Sequence, residues 1–234
     1  TTSLFHRIAL TYRVVGQQFG ERFRPLGSLL AFGLLRGVVG FFRVLDWVFF
    51  PALWNKDAGK PIVIVGNPRS GTTFLHRYLV GRGLGEGSEL YRMLFPSLTL
   101  QFLLRPILPL LEKMSPARHH VAAAHKTSLG SVETDDVAVF FRYLDGFFLY
   151  GFLLAWDEED HRPLVDPRVR DTNARDFQWW RGLWSRNLVA KGAEAHIAKL
   201  FTLSMRVPAF LEAFAQVLDE LVAALPPSRQ ASPT

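Results

Sequence analysis

The pattern of apolar and polar positions predicts one strand-loop-helix unit near residue 65 and several strongly apolar segments around it. Residues 62–65 are a continuous β-branched run, which predicts a parallel strand covered on both faces. Gly66 ends that run, and a helix is predicted from Thr72. A second parallel strand is predicted at residues 187–190, just before Lys191 and Gly192.

Residues 26–50 are almost wholly apolar and predict one long helix. Its interruptions recur every three or four positions and form a narrow stripe, made of Gly33, Arg36, Gly37, Gly40, Arg43 and Asp46. Three interpretations are open. The helix packs in the core, spans a membrane at a high cost for Arg36, or lies in the membrane interface. In the last case lipid head groups contact Arg22, Arg24, Arg36 and Arg43.

Two further apolar segments follow, with a charged one after them. Residues 93–111 are cut by three prolines and predict short broken helices. Residues 137–156 predict a single helix on which Arg142 pairs with Asp145. This helix either packs in the core or lines a tunnel for a hydrophobic acceptor with its aromatic face. Residues 157–176 predict a solvated loop or a lid, and residues 176–184 a helix.

The segment between the first strand and the following helix has the chemistry of a phosphate-binding loop. Gly66 and Gly71 have G-x-x-x-x-G spacing, which lets backbone N–H groups converge on an anion at a helix start. Nucleotide triphosphatases carry Lys after the second glycine, but this chain carries Thr72, which makes a nucleotide kinase a poor third hypothesis. The predicted binding residues are Pro68, Arg69, Ser70, Gly71, Thr72 and Thr73.

The P-R-S-G-T-T stretch at residues 68–73 resembles the P-[KR]-S-G-T-T loop of the sulfotransferase family, and its arginine form resembles the bacterial and carbohydrate-type branches. The resemblance implies an α/β, helix-rich, P-loop-containing nucleotide-binding core with parallel strands. It also implies 3′-phosphoadenosine-5′-phosphosulfate as sulfuryl donor, without a metal. The competing interpretation is a simple turn between strand and helix, which these residue types also favour.

An acid-base segment precedes the apolar helix predicted from residue 137. Sulfuryl transfer to an alcohol needs a base for the hydroxyl proton and a cation near the leaving phosphate. Glu133 is the first candidate base and His125 the second, with Arg69 as the cation. Alternatively, Glu133 and Asp135 are acids at a helix start, capped by Thr134 or Ser131.

The resemblance covers about the middle two-thirds of the chain and ends after residue 214. There the family would enter a strand ending in an arginine, which with a downstream serine holds the 3′-phosphate; neither has a counterpart here. The core is therefore expected to be incomplete on its carboxy-terminal side. The predicted organisation is a hydrophobic helical segment at 1–56, the sulfotransferase-like core at 57–214, and a helix with a disordered tail at 215–234.

Composition narrows the partners further. The 234 residues suit one core, and the absence of cysteine excludes disulfides and thiolate metal sites. No histidines show metal-ligand spacing, so no metal site is predicted. A net charge of +6 suits an anionic cofactor or an anionic membrane surface, and no nucleic-acid motif is present.

The predicted function is a sulfotransferase acting on a hydroxyl of a hydrophobic or lipid-linked acceptor. The predicted location is cytoplasmic, including the inner face of the membrane. The alternative is a catalytically impaired or truncated, membrane-associated helical protein that retains the anion-binding loop.

Overall fold

The fold is helix-rich and contains a small parallel sheet. The computed structural model describes residues 3–21, 23–58, 61–67, 70–114 and 128–214. The α-helices are α1 Leu4–Phe19, α2 Arg24–Phe49, α3 Ala52–Asn55, α4 Thr72–Gly81, α5 Leu90–Leu94, α6 Leu98–Leu104, α7 Leu108–Met114, α8 Asp136–Tyr143, α9 Asn173–Lys191 and α10 Val207–Ala213. The strands are β1 Ile62–Val65 and β2 Ile197–Leu200.

The two strands pair in parallel, in a register that places Ile62 opposite Ile197 and Val65 opposite Leu200. The predicted strand at 62–65 is therefore confirmed, as is the parallel arrangement. The expected burial of β1 on both faces is not: Ile62 and Val65 remain 44% and 37% exposed, whereas all four residues of β2 are buried. Among the described residues the sheet contains these two strands, which is compatible with the α/β class.

The prediction of a second strand at 187–190 is wrong, because these residues form the last turns of α9. Gly192 ends the helix in the left-handed conformation, with φ of 63°, and the N–H of Ala193 donates to the carbonyl of Leu188 at 3.0 Å. This is a helix stop, with Lys191 in the last turn and glycine just beyond it. The apolar residues that suggested a strand include Leu188, which the helix buries completely.

The main core forms around α9. Trp180, Leu183 and Trp184 have no exposed surface and pack with residues of α8, α10 and β2. The predicted helix at 176–184 is confirmed within this longer element. A second cluster contains Leu10, Val14, Leu144, Leu149 and Leu154, and holds α1 against the chain that follows α8.

The long helix predicted at 26–50 is confirmed as α2, but Arg43 and Asp46 in its second half point into the protein. Asp46 is fully buried and accepts hydrogen bonds from Ser97 Oγ at 2.8 Å, from Thr99, and from Arg186 Nε at 2.8 Å. Arg43 stacks 4.2 Å over the ring of Trp179, and burial lowers its pKa to about 9. Arg43 therefore packs against the core, contrary to the expectation that it contacts lipid head groups.

The two other apolar segments differ in outcome. The segment at 93–111 is broken into short helices as predicted, with a 3-10 turn at Arg105–Ile107 between α6 and α7. The single helix predicted at 137–156 is wrong: α8 stops at Leu144, which has φ of 48°, and a π-helical turn, Leu149–Leu153, and a 3-10 turn, Leu154–Trp156, follow.

The predicted pair of Arg142 with Asp145 is also wrong, because the helix ends between them. Asp145 instead accepts hydrogen bonds from Arg170 Nη2 at 2.6 Å and Arg175 Nη1 at 2.7 Å, and lies 3.8 Å from Arg7 Nε. Burial alone would raise the pKa of Asp145, but these arginines lower it to about 2. Asp145 thereby ties the 157–172 segment to α1 and α9.

Candidate functional site

The candidate site lies at the carboxyl end of β1, where the chain turns into α4. A Cβ at Gly66 would lie 2.8 Å from Thr72 Cγ2, so a side chain there would collide with the first turn of α4. Gly71 is the N-cap of α4, has φ of 80°, and provides no side-chain cap. The first-turn N–H groups of α4 have no intrahelical acceptor and are therefore available to an anion.

The predicted binding residues fall into three groups. Pro68 and Arg69 lie outside the described residues. Ser70 closes the loop on itself, because its hydroxyl donates to the carbonyl of Asn67 at 2.6 Å. Thr72 is buried beneath the loop, whereas Thr73 is half-buried and its hydroxyl accepts a hydrogen bond from a lysine on β2.

That lysine is Lys199, which sequence reasoning missed. It lies opposite Ile64 in the sheet, and its Nζ donates to Thr73 Oγ1 at 3.0 Å. Its pKa is lowered chiefly by burial, which the negative charge of Glu133 partly offsets. The sequence could have indicated Lys199, because it lies within a short apolar run at residues 197–200. It was missed because the second strand was predicted at residues 187–190 instead. Lys199 places a cation beside the first turn of α4.

Glu133, the first candidate base, lies in the same cluster. Its Oε1 accepts hydrogen bonds from Arg77 Nη2 at 3.0 Å and from Ser131 Oγ at 3.1 Å. Arg77 lies on α4 one turn after Thr73. The structure thus brings Glu133, Arg77, Lys199 and Thr73 together on the side of α4 that faces β2. The second candidate, His125, lies outside the described residues.

The acids after Glu133 hold the backbone in place. Asp135 occupies the N-cap position of α8 but makes no side-chain cap there; it accepts from Ser88 Oγ at 2.5 Å and Trp184 Nε1 at 3.0 Å. Asp136 accepts from Phe201 N and Thr202 Oγ1, just beyond β2. Burial raises the pKa of Asp136. Both carboxyl groups therefore anchor the segment that carries Glu133 to β2.

A sealed polar network lies behind this cluster. His76 and His196 have no exposed surface. His76 Nε2 donates to the carbonyl of Ile197 at 2.8 Å, and burial lowers its pKa. His196 Nε2 lies 3.4 Å from Ser88 Oγ, which also accepts from Asn187 Nδ2. Because the network is sealed from solvent, it fixes α4 and α9 against β2 and does not contact a ligand.

An apolar cavity of about 680 Å³ opens between α1, α2 and the end of α8. Phe140, Leu144 and Leu153 line one wall, and all three come from the segment expected to border a tunnel. The residues that form the remaining walls are Thr11, Tyr12, Val15, Phe19, Glu21, Arg24, Pro25, Ser28, Leu29 and Phe32. The helix α8 thus begins beside the candidate site and ends at this cavity.

A carboxylate-histidine cluster lies in the segment after residue 156. One ligand atom from each of Asp157, Glu159 and His161 lies within 4.8 Å of the others, so the expectation that His161 has no metal-ligand partner is wrong. Arg13 already bridges both carboxylates at 3.0 Å, and His161 Nε2 lies 2.7 Å from Asp157 Oδ2. Side chains of the protein therefore already contact the ligand atoms of this cluster.

Comparison with protein-family models, with curated proteins and with solved structures finds no match to this chain.

Proposed function

We propose that the chain is a sulfotransferase with a P-loop-type core, which binds the 5′-phosphosulfate end of 3′-phosphoadenosine-5′-phosphosulfate at residues 66–73. The observation that carries the proposal is the contact of Lys199 Nζ with Thr73 Oγ1. This contact brings a buried cation to the first turn of α4, where backbone N–H groups already favour an anion.

The loop geometry supports anion binding independently of the resemblance. Gly66 leaves room for the buried side chain of Thr72, and Gly71 adopts a left-handed conformation that other residues adopt only with strain. Arg69 in the loop and Lys199 on β2 would then both contact the bound group. Charge-assisted hydrogen bonds of this kind are stronger than neutral ones.

In the proposed reaction, Glu133 takes the proton from the acceptor hydroxyl as its oxygen attacks sulfur. The new S–O bond forms while the bond from sulfur to the 5′-phosphate oxygen breaks, and 3′-phosphoadenosine 5′-phosphate leaves with that electron pair. Arg69 and Lys199 stabilise the charge on the departing phosphate. The contacts of Glu133 with Arg77 and Ser131 both involve Oε1, so Oε2 is the oxygen that would take the proton, and His125 is the alternative base.

The apolar cavity supports a hydrophobic acceptor. Its volume of about 680 Å³ lies within the usual range of small-molecule sites, and its lining is chiefly apolar. From Asp136 to Leu144, α8 and its end span about 12 Å at about 1.5 Å per residue. We propose that the hydrocarbon part of the acceptor occupies this cavity and that its hydroxyl reaches Glu133 along α8.

A second candidate function is a membrane-associated helical protein that retains an anion-binding loop without catalysis. The ion pair between Arg77 and Glu133 favours it, because a structural salt bridge accounts for the position of Glu133 without a catalytic role. Both candidate functions predict that the loop binds a phosphate group, but only the sulfotransferase predicts turnover.

Calorimetric titration with 3′-phosphoadenosine 5′-phosphate, compared with adenosine 5′-phosphate, tests the proposal. Both nucleotides are expected to bind, because both carry the 5′-phosphate. Arg69→Ala should weaken the binding of both nucleotides by about 10- to 150-fold, because it removes one charge-assisted contact. Gly71→Val should weaken binding further. Unchanged affinity in both folded variants would refute the site, and sulfuryl transfer by the unsubstituted chain separates the two functions.

A further inference from the structure

We propose that the outward side of α2, with the neighbouring α6 and α7, attaches the protein in the plane of a membrane that contains anionic lipid. This inference goes beyond the proposed function and does not depend on it. The outward residues of α2, here called the outer face, are Leu26, Leu30, Leu34, Val38, Phe41, Val44, Trp47 and Val48, and each is at least one-third exposed.

Beyond its first turns, α2 lacks the polar outward side that a surface helix of a water-soluble protein carries. Its inner side carries Asp46, which is buried and paired with Arg186, and Arg43, which is stacked on Trp179. The residues of the outer face are all apolar. The buried residues of α2 are Val39 and Asp46. Large contiguous apolar surfaces of this kind mark an interface with a partner or a membrane.

Length and composition favour a bilayer as the occupant. The 26 residues of α2 extend over about 39 Å at about 1.5 Å per residue, and α2 is apolar enough to match a membrane-spanning helix. Among the described residues it is the single helix that meets both conditions. A second copy of the chain, with the same net charge of +6, is a less suitable occupant than an anionic bilayer.

The contacts of the inner side exclude a spanning orientation. Phe32 contacts Phe140 on α8, with ring centroids 6.4 Å apart, and Arg43 and Asp46 contact α9. These contacts cover more than half of α2, so crossing the bilayer would carry α8 and α9 into hydrocarbon. An in-plane helix avoids this, because it buries one side in lipid and keeps the other on the protein.

Further apolar surface is exposed on α6, which begins beside Asp46 through its bonds with Ser97 and Thr99, and on α7, which follows α6. Phe102 is 71% exposed there, and Leu103, Ile107 and Leu110 are also exposed. Arg105 lies among them and lines a groove of about 460 Å³ with Phe102 and Lys191. A cation beside exposed aromatic residues suits the phosphate of an anionic lipid.

Vesicle flotation of the full chain tests the attachment, with equimolar phosphatidylcholine and phosphatidylglycerol compared with phosphatidylcholine alone. The double variant Leu34→Glu with Phe41→Glu should reduce the bound fraction by about tenfold or more, because it places two charges on the outer face. The double variant Val169→Glu with Met205→Glu is the matched control, because it adds the same two charges at positions of similar exposure outside α2, α6 and α7. Val169 and Met205 are 67% and 57% exposed, against 68% and 61% for Leu34 and Phe41. Arg105→Ala should reduce only the preference for phosphatidylglycerol.

Circular dichroism confirms that each variant is folded. Equal losses in the double variant and the control, or no loss in the double variant, would overturn the proposal.

Depth measurements test the in-plane orientation. The chain contains no cysteine, so Leu26→Cys, Leu34→Cys and Val44→Cys each provide a single site for a spin label. An in-plane helix gives all three labels the same shallow depth. A deep label at residue 34 with shallow labels at the two others would show a spanning helix and overturn the proposal. So would a dimer in solution that is cross-linked at residue 34 and does not float with vesicles.

Discussion

Replacement of Lys199 by methionine should weaken nucleotide binding without weakening the fold. Lys199 is 2% exposed, and its Nζ donates to Thr73 Oγ1 at 3.0 Å. Methionine fills a similar volume but carries no charge. If Lys199 contacts the bound phosphate, its loss removes about 1.5 to 3 kcal/mol of charge-assisted bonding, which is about 10- to 150-fold in Kd.

The same replacement should have little effect on the free energy of unfolding, because it removes both an unfavourable and a favourable contribution. Because burial lowers the pKa of Lys199 in the folded protein, folding disfavours its charged form. That cost is present at neutral pH and disappears as the pH rises above the unfolded value of 10.5. Lys199→Met removes this cost and also the hydrogen bond to Thr73, so the free energy of unfolding should change by no more than about 1 kcal/mol.

Isothermal titration with 3′-phosphoadenosine 5′-phosphate and urea denaturation measure the two effects separately. Lys56→Met is the matched control, because it makes the same change in net charge before the amino end of β1, where Lys56 pairs with Glu194 at 3.3 Å. The control should retain nucleotide affinity. A Lys199→Met variant that binds nucleotide as tightly as the control does, or that is much less stable than the unsubstituted chain, would refute the reasoning.

Three further outcomes are expected. Gly66→Ala should destabilise the protein by about 1 to 3 kcal/mol in urea denaturation, because the added Cβ meets Thr72 at 2.8 Å, whereas Gly81→Ala, where the added Cβ meets nothing, should be neutral or stabilising. Glu133→Gln should lower sulfuryl-transfer turnover by about two to four orders of magnitude and spare nucleotide binding; full activity would assign the base elsewhere. Asp145, with a pKa of about 2 against 3.8, should contribute about 2 kcal/mol above pH 4 that is lost toward pH 2. Acid denaturation of Asp145→Asn should therefore lack this pH dependence.

The sequence by itself determined the elements that depend on neighbouring residues. The β-branched run at 62–65 and the glycines that follow it specify β1 and the turn into α4, because each acts through its own backbone preferences. The apolar length of α2 and the proline breaks near residues 96–109 are local in the same sense. The acid-base segment before residue 137 also indicated Glu133 as part of the candidate site.

Only the tertiary structure decided the partners across the fold. Lys199 reaches Thr73, 126 positions earlier in the chain, because β2 pairs with β1 in one register. Asp46 faces inward because Arg186, 140 positions later, is there to pair with it. Residues 187–190 have an apolar pattern that fits a strand or a buried helix turn, and packing against the core selected the helix. Such choices depend on long-range contacts, which local preference and spacing do not specify.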